Sequence, residues 1–354
     1  MTKPNTGEIV NNLQSRSLGS VTNTESAATP ADRPIVVVLT SDDLGPPPDL
    51  AALSELATIR IATADELPTA LPGARAVFVW DFFNPALADA WPAADALEWV
   101  HVAAAGVDAV MFDELRDSAV QVTNARGVFD TPIAEFVLTS VLAHLKDLPQ
   151  LARAQQEQRW EHRETRTAAG RRALVVGTGG IGRATARLLR AVGMEVRGVG
   201  RVGRESDPDF GVVLPSDELA EHVGWADHLV LVAPLTAQTR GLVDARVLAA
   251  MRPEAQLINV GRGELVDEPA LVAALQRGEL AAAALDVFVT EPLPADSPLW
   301  TLPGVQISAH LSGDAVGWRQ ALAEQFEANL RRWLAGEPFE SVVDKRRGYA
   351  SSGR

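Results

Sequence analysis

The chain has 354 residues, enough for two domains with separate cores, and its 47% hydrophobic content is ordinary for a globular protein. Forty-six acidic against 32 basic side chains leave a net charge of −14, which argues against nucleic acid or an anionic membrane as partner, because both need a basic face. With no cysteine there is no disulfide framework, thiol nucleophile or thiolate metal site, and no apolar run reaches the ~18 residues of a membrane span.

Residues 1–32 are rich in Ser, Thr and Asn, carry no aromatics, and are expected to form a disordered leader. They lack the basic start and apolar core of a secretory signal, so a cytoplasmic protein is expected. Residues 35–39 (IVVVL) read as a buried strand, and strand candidates recur at 59–62, 76–80 (AVFVW), 99–103 and 119–123. Helical stretches and Pro/Gly/Asp turns separate them, the alternation of a parallel α/β sheet. A long helical pattern over 131–158 has Pro132 in its first turn, where proline is tolerated.

That helix leads into 174–182, LVVGTGGIG, followed by the apolar helical pattern ATARLLRAVG. Strand, glycine turn and helix in this order form a dinucleotide-binding fingerprint. Gly177 serves the tight turn, Gly179 the approach of backbone N–H groups to a pyrophosphate, and Gly182 the packing of helix on strand. The helix N-terminus adds free donors and partial positive charge.

Further strands follow at 229–233 (LVLVA), 256–260 (QLINV), 282–287 (AAALDV) and 305–308 (VQIS). A helix over 268–277 is capped by Asp267, with Pro269 just inside it, and a last helix over 315–335 stops at Gly336. The polar, basic tail, 345–354, is expected to be mobile. The fold class is α/β: two Rossmann-like domains with doubly wound parallel sheets. Residues 131–301 are the dinucleotide-binding domain, and 33–130 with 302–344 the substrate domain, the last helix returning to it. Cofactor and substrate then meet in the interdomain cleft, at the carboxyl ends of the strands.

Scarcity narrows the chemistry. The one tyrosine, Tyr349, lies near the C-terminus, and the lysines are Lys3, Lys146 and Lys345 alone. A Tyr-x-x-x-Lys site is impossible. The proton donor of a redox enzyme must therefore come mostly from the six histidines and the carboxylates. Reduction of a 2-oxo acid by a nicotinamide needs a cation for the carboxylate, a proton donor at the carbonyl oxygen, and a group that sets the donor's pKa. Arg262, in LINVGRGELVD, follows a predicted strand between two glycines, and its planar guanidinium suits a carboxylate. His310, in VQISAHLSG, also follows a strand. Glu291, in ALDVFVTEPLP, follows the preceding one, and a glutamate beside an imidazole favours the imidazolium. His101, at the centre of a strand, reads as structural. His144 reads as packing or solvent-facing, and His162, His222 and His228 have no charge partner in sequence.

The strand EVRGVGR places Gly200 where NAD-binding versions carry an acidic residue for the ribose diol, and Arg201 and Arg204 follow. NADP(H) is therefore the expected cofactor, with NAD(H) the alternative and solvated arginines the bland reading.

GTGGIG, VAPLTAQTRGLVD, LINVGRGELVDEPAL, LDVFVTEPLP and ISAHLSG, in that order, resemble the D-isomer-specific 2-hydroxyacid dehydrogenases, among them the glyoxylate/hydroxypyruvate reductases. The resemblance extends over about residues 95–344 through HVAAAGVD, DTPIAEFVL and LAGEPFESVVD. It implies that Arg262 binds the substrate carboxylate, that His310 is the acid/base with Glu291 as partner, and that Ala105 and Gly106 offer backbone donors to the substrate. It also implies that Gly177, Gly179, Gly180, Ile181 and Gly182 cradle the pyrophosphate. Pro234, Thr236, Val260 and Gly261 would lie beside the cofactor, and Asp286 would approach the nicotinamide amide. A homodimer built on the nucleotide domains is implied, and no metal. Two positions depart from the family pattern: Gly180 stands where many relatives have a basic residue, and Ala309 where proline is usual. Trp80, Phe82, Phe83 and Trp318 are candidates for the side-chain pocket, with core packing as the other reading. The alternative function is that of an NAD(P)(H)-binding interaction protein of the corepressor type, which shares the fold.

Overall fold

Five short strands, rich in valine and isoleucine, build the first sheet: β1 (Ile35–Leu39), β2 (Thr58–Ala62), β3 (Ala74–Val79), β4 (Trp99–Val102) and β5 (Gln121–Asn124). All pair in parallel, in the order β2-β1-β3-β4-β5. The crossovers carry α1 (Leu50–Leu56), α2 (Leu67–Ala70), α3 (Ala86–Ala90) and α4 (Asp113–Asp117). Val36 to Leu39 are fully buried, as β1, near the middle of a sheet covered on both faces, requires. The coordinates are a computed structural model that describes residues 33–350; the leader expected over 1–32 lies outside the described residues.

Two helices connect this sheet to the next, α5 (Asp130–Leu145) and α6 (Leu148–Gln156). The sequence pattern predicts one continuous helix here. Pro149 breaks it: its ring would clash with the carbonyl of Leu145, and Asp147 turns left-handed at φ 54° to restart the chain as α6.

The second sheet has eight strands. They are β6 (Arg172–Val176), β7 (Glu195–Gly200), β8 (Arg204–Asp207), β9 (Gly211–Pro215), β10 (His228–Leu231), β11 (Gln256–Asn259), β12 (Ala282–Leu285) and β13 (Val305–Ile307). The order is β13-β12-β11-β10-β6-β7-β9-β8, parallel except for the edge strand β8. Its helices are α7 (Gly180–Ala191), α8 (Leu219–His222), α9 (Ala245–Ala250) and α10 (Glu268–Gln276). Asp267 caps α10 as expected, accepting from Ala270 N–H at 3.0 Å. The sheet reverses order between β6 and β10, the switch point at which α/β sheets bind ligands. Because β13 pairs with β12, this sheet runs to Ile307, past the expected boundary at 301.

The last helix, α11 (Trp318–Leu334), begins three residues later than expected, after Gly317 in a left-handed turn at φ 89°. It returns to the first sheet, where Phe326 stacks on Phe78 with ring centroids 4.0 Å apart and on Trp99 at 5.1 Å. Truncating Phe326, which is fully buried, would cost about 3–5 kcal/mol. The tail is not loose through residue 350. Strands β14 (Val343–Asp344) and β15 (Tyr349–Ala350) pair, and Lys345 Nζ donates to the carbonyls of Leu115, Ser118 and Val120 at 2.7–2.9 Å. Among the described residues no helix is long and apolar enough to cross a membrane.

Candidate active site

The turn after β6 meets the geometric demands of a dinucleotide cradle. Gly177 has φ 114°, and a Cβ there would sit 2.8 Å from the backbone of Val232. A Cβ on Gly182 would lie 1.8 Å from the Gly177 carbonyl, so α7 can pack on β6 only through glycine. Around Gly179 nothing lies within 4 Å of that position, which leaves its backbone open to a phosphate. At the end of β7, Thr178 Oγ1 stands 3.2 Å from the Cβ site of Gly200, in the space an acidic residue would enter. Arg201 is exposed, whereas Arg204 is occupied by Asp207 at 3.0 Å. Arg183 also holds Asp207, so of the two expected arginines Arg201 is the one left available. In the loop after β10, the Thr239 hydroxyl donates to the Pro234 carbonyl (2.7 Å) and accepts from Thr236 N–H (2.8 Å), which fixes both residues at the switch point.

Arg262 follows β11 and Val260–Gly261. Asn259 shapes the loop: its Oδ1 accepts from Gly261 N–H (3.1 Å) and its Nδ2 donates to the Arg262 carbonyl (2.9 Å). The guanidinium donates through Nε to Asp108 Oδ2 at 3.0 Å and through Nη1 to the Gly261 carbonyl at 2.8 Å. Nη2 lies so near Gly106 that a Cβ there would come within 2.2 Å of it. The loop holding Ala105 and Gly106 is pinned by Asn124 Nδ2, which donates to the Ala105 carbonyl at 2.5 Å. Among the described residues, the N–H groups of Ala105 and Gly106 make no hydrogen bond. Two free donors and one guanidinium edge thus lie close together at Gly106.

His310 Nδ1 meets Glu291 Oε2 at 2.8 Å, and Glu291 Oε1 accepts from Phe288 N–H at 2.9 Å. Burial pushes the Glu291 carboxyl up, but the bonds from His310 and Phe288 and the nearby charges of His310 and Arg262 outweigh it, leaving it below its ordinary value. Gly263 packs on the Phe288 backbone so closely that a Cβ would lie 1.9 Å from its carbonyl carbon, which joins the Arg262 loop to the Glu291 loop. His310 itself is left-handed at φ 51°, a conformation that costs a non-glycine residue about 1–3 kcal/mol and persists only when the surroundings impose it. Here Asp286 imposes it. Its carbonyl accepts from His310 N–H (2.8 Å), and its carboxylate accepts from Ser308 Oγ (2.6 Å) and from the N–H groups of Leu311 and Ser312 (3.0 Å each). Asp286, expected beside the nicotinamide amide, is fully buried, and its carboxylate braces the His310 loop.

Phe83, 53% exposed, packs edge-on against the His310 ring at a centroid distance of 5.0 Å, and Phe82 connects it to Trp318 at 4.7 and 6.3 Å. Trp80 is buried in the core against Phe78, so it does not line this space. Arg262, Glu291 and His310 thus come together with Gly106, Asp108 and Phe83 of the first sheet. Sequence reasoning passed over Asp108, Asn259 and Ser308. Asp108 was within reach, since it closes the quoted motif HVAAAGVD.

The arrangement can hold a small carboxylate, deliver a proton next to it, and accept a dinucleotide at the adjoining glycine turn. Comparison with known proteins agrees. Residues 138–312 match the model of the D-isomer specific 2-hydroxyacid dehydrogenase NAD binding domain. A glyoxylate/hydroxypyruvate reductase A of Serratia proteamaculans is 34% identical over 268 residues, 72% of this chain and 82% of that one. A D-isomer specific 2-hydroxyacid dehydrogenase of Xanthobacter autotrophicus, solved with NADPH and MES, is 36% identical with a TM-score of 0.74, covering 89% of this chain and 99% of that one. An NADPH-dependent glyoxylate/hydroxypyruvate reductase of Sinorhizobium meliloti, solved with NADP and malonate, is 29% identical with a TM-score of 0.76, covering 91% and 100%.

Proposed function

The chain belongs to the D-isomer specific 2-hydroxyacid dehydrogenases, NAD(P)-dependent oxidoreductases, and from that premise we propose that it reduces a small 2-oxo acid of the glyoxylate or hydroxypyruvate kind to the D-2-hydroxy acid, with NADPH preferred over NADH, and catalyses the reverse oxidation. The observation that carries the reading is the 2.8 Å contact of His310 with Glu291, placed beside the loop of Arg262. Relatives named as glyoxylate reductases and neighbours solved with NADP support the substrate class and the cofactor. They do not favour the corepressor-type alternative.

The glycine turn, with Thr236, Val260 and Gly261, would hold the dinucleotide, which when bound supplies hydride to C2 of the oxo acid. Arg262 Nη2 and the N–H groups of Ala105 and Gly106 hold the substrate carboxylate and draw charge from the carbonyl. Because Nδ1 of His310 is engaged by Glu291, the proton for the carbonyl oxygen comes from Nε2. The ionised Glu291 orients the ring and supports the imidazolium. In the oxidative direction the same Nε2 takes the proton back.

Trp160, Leu148 and Leu151 are 98%, 49% and 39% exposed on the segment leading from α5 to β6, a surface that suits a second copy of the chain; the reading includes a homodimer built on the nucleotide domains. It also keeps the enzyme in the cytoplasm, in line with its cysteine-free composition. Initial rates over a panel of 2-oxo acids, each with NADPH and with NADH, test the proposal. Glyoxylate or hydroxypyruvate with NADPH should give the highest kcat/KM, and the absence of turnover with every 2-oxo acid would overturn it.

A further inference from the structure

Asp130 stands where the dinucleotide reading would not place an acid. It opens α5, and its Oδ2 lies 2.2 Å from the position a Cβ on Gly180 would take. Gly180 is the first residue of α7, whose free N–H groups form the anion site of the fingerprint. The carboxylate therefore fills the space that a side chain at 180 would occupy, and Asp130 would have to move to admit one. Gly180 and Asp130 are one device rather than two accidents.

Half-buried between the first turns of two helices, the Asp130 carboxyl makes no hydrogen bond among the described residues. The charged groups that act on it are Arg126, in the loop before α5, and Arg187, on α7. Burial pushes its pKa up, and the pull of the two arginines does not bring it back to the ordinary aspartate value. A pyrophosphate seated on the N–H groups of Gly180 and Ile181 would place further negative charge beside this carboxyl. Like charge disfavours the ionised form.

Resting on the dinucleotide reading of the glycine turn, we infer that Asp130 takes up a proton when the dinucleotide binds, so that one carboxyl of this chain makes cofactor affinity depend on pH. Proton uptake and the Gly180 substitution then share one cause. The phosphates thus meet a carboxyl that must first be neutralised.

NADPH affinity of the full chain, measured by titration calorimetry from about pH 5.5 to about pH 8.5 for the wild type and Asp130→Asn, tests this. Asparagine keeps the shape and removes the charge; should it fail to fold, Asp130→Ser replaces it. Titration of the 2′-phosphate is common to both proteins, so the ratio of the two dissociation constants isolates Asp130. The variant should bind about tenfold tighter at the alkaline end, for a shift of about one pKa unit on binding, and its advantage should shrink as pH falls. Calorimetry in buffers of different ionisation heat should show proton uptake in the wild type beyond that of the variant. A pH-independent ratio, or weaker binding by the variant throughout, would overturn the inference. Failure of both proteins to bind NADPH would instead overturn the dinucleotide reading on which it rests.

Discussion

Asp108 and Arg262 are 154 residues apart in the chain and meet at 3.0 Å, the carboxylate coming from the loop after β4 and the guanidinium from the loop after β11. One ion pair thus bridges the two sheets at the place where the substrate carboxylate is proposed to bind. Half-buried on both sides, it aims Nη2 toward Gly106 and leaves that edge of the fork free.

Asp108→Asn should therefore misdirect Arg262 without removing it. KM for the oxo acid should rise about tenfold or more while NADPH affinity stays near that of the wild type, a loss of roughly 1–2 kcal/mol in substrate binding. Steady-state kinetics that show an unchanged KM would exclude a positioning role for Asp108.

Glu291→Gln keeps the shape of the His310 contact and removes the charge. Turnover should fall by roughly 10²-fold, because support of the imidazolium is lost. The Glu291 carboxyl sits below its ordinary value, so it stays ionised as pH falls until well into the acid range, and its protonation does not limit the wild type near neutrality. Turnover close to that of the wild type would contradict the pairing.

The cofactor preference is proposed to lie with Arg201. Arg201→Asp should lower the NADPH-to-NADH ratio of kcat/KM about tenfold or more, whereas Arg204→Ala should move it little, because Arg204 is engaged by Asp207. Competition between the two cofactors, scored for both variants, distinguishes the roles. Equal effects from both substitutions would remove Arg201 as the specific reader of the 2′-phosphate.

Much of this was legible in sequence, and the reasons are physical. Each strand of the parallel sheets is a short apolar run, because both faces are covered, and the glycine turn carries its own geometry. Arg262, Glu291 and His310 were found because each follows such a run at its carboxyl end. What escaped depends on contacts between distant segments. The edge strand β8 has no apolar run, with Arg204–Asp207 reading RESD, whereas β9, GVVLP, carries a short one that no strand expectation covered. The bracing of the His310 loop by Asp286 depends on the pairing of β12 with β13, which no single motif carries. Lys345 read as part of a loose basic tail until its three carbonyl partners near α4 came into view. The break at Asp147, by contrast, was written in Pro149 and could have been read from it.

His101 carries the acid sensitivity of the first sheet. Burial pushes its pKa down to about 3, and its Nδ1 shares a 2.7 Å hydrogen bond with the Thr123 hydroxyl, whose oxygen also accepts from Trp99 Nε1. The unfolded chain binds a proton near the ordinary value of about 6.5, the folded one far lower, so stability falls as pH drops below about 6.5. His228, pushed down to about 4, acts in the same direction. His101→Phe should be about 1 kcal/mol less stable at neutral pH, where the Thr123 hydroxyl loses its partner, and the gap to the wild type should close and reverse as pH falls below about 6. Thermal denaturation of both proteins across this range decides the matter; a constant or widening gap would contradict it.

The central claim is that the imidazole of His310, held by Glu291, delivers the proton to the oxo acid. The most direct test is the initial rate of NADPH oxidation with glyoxylate for the wild type and His310→Asn, together with the NADPH dissociation constant of each. A fall in kcat of about 10²- to 10⁴-fold at nearly unchanged NADPH affinity is the expected result. Turnover close to that of the wild type in the variant would contradict the account.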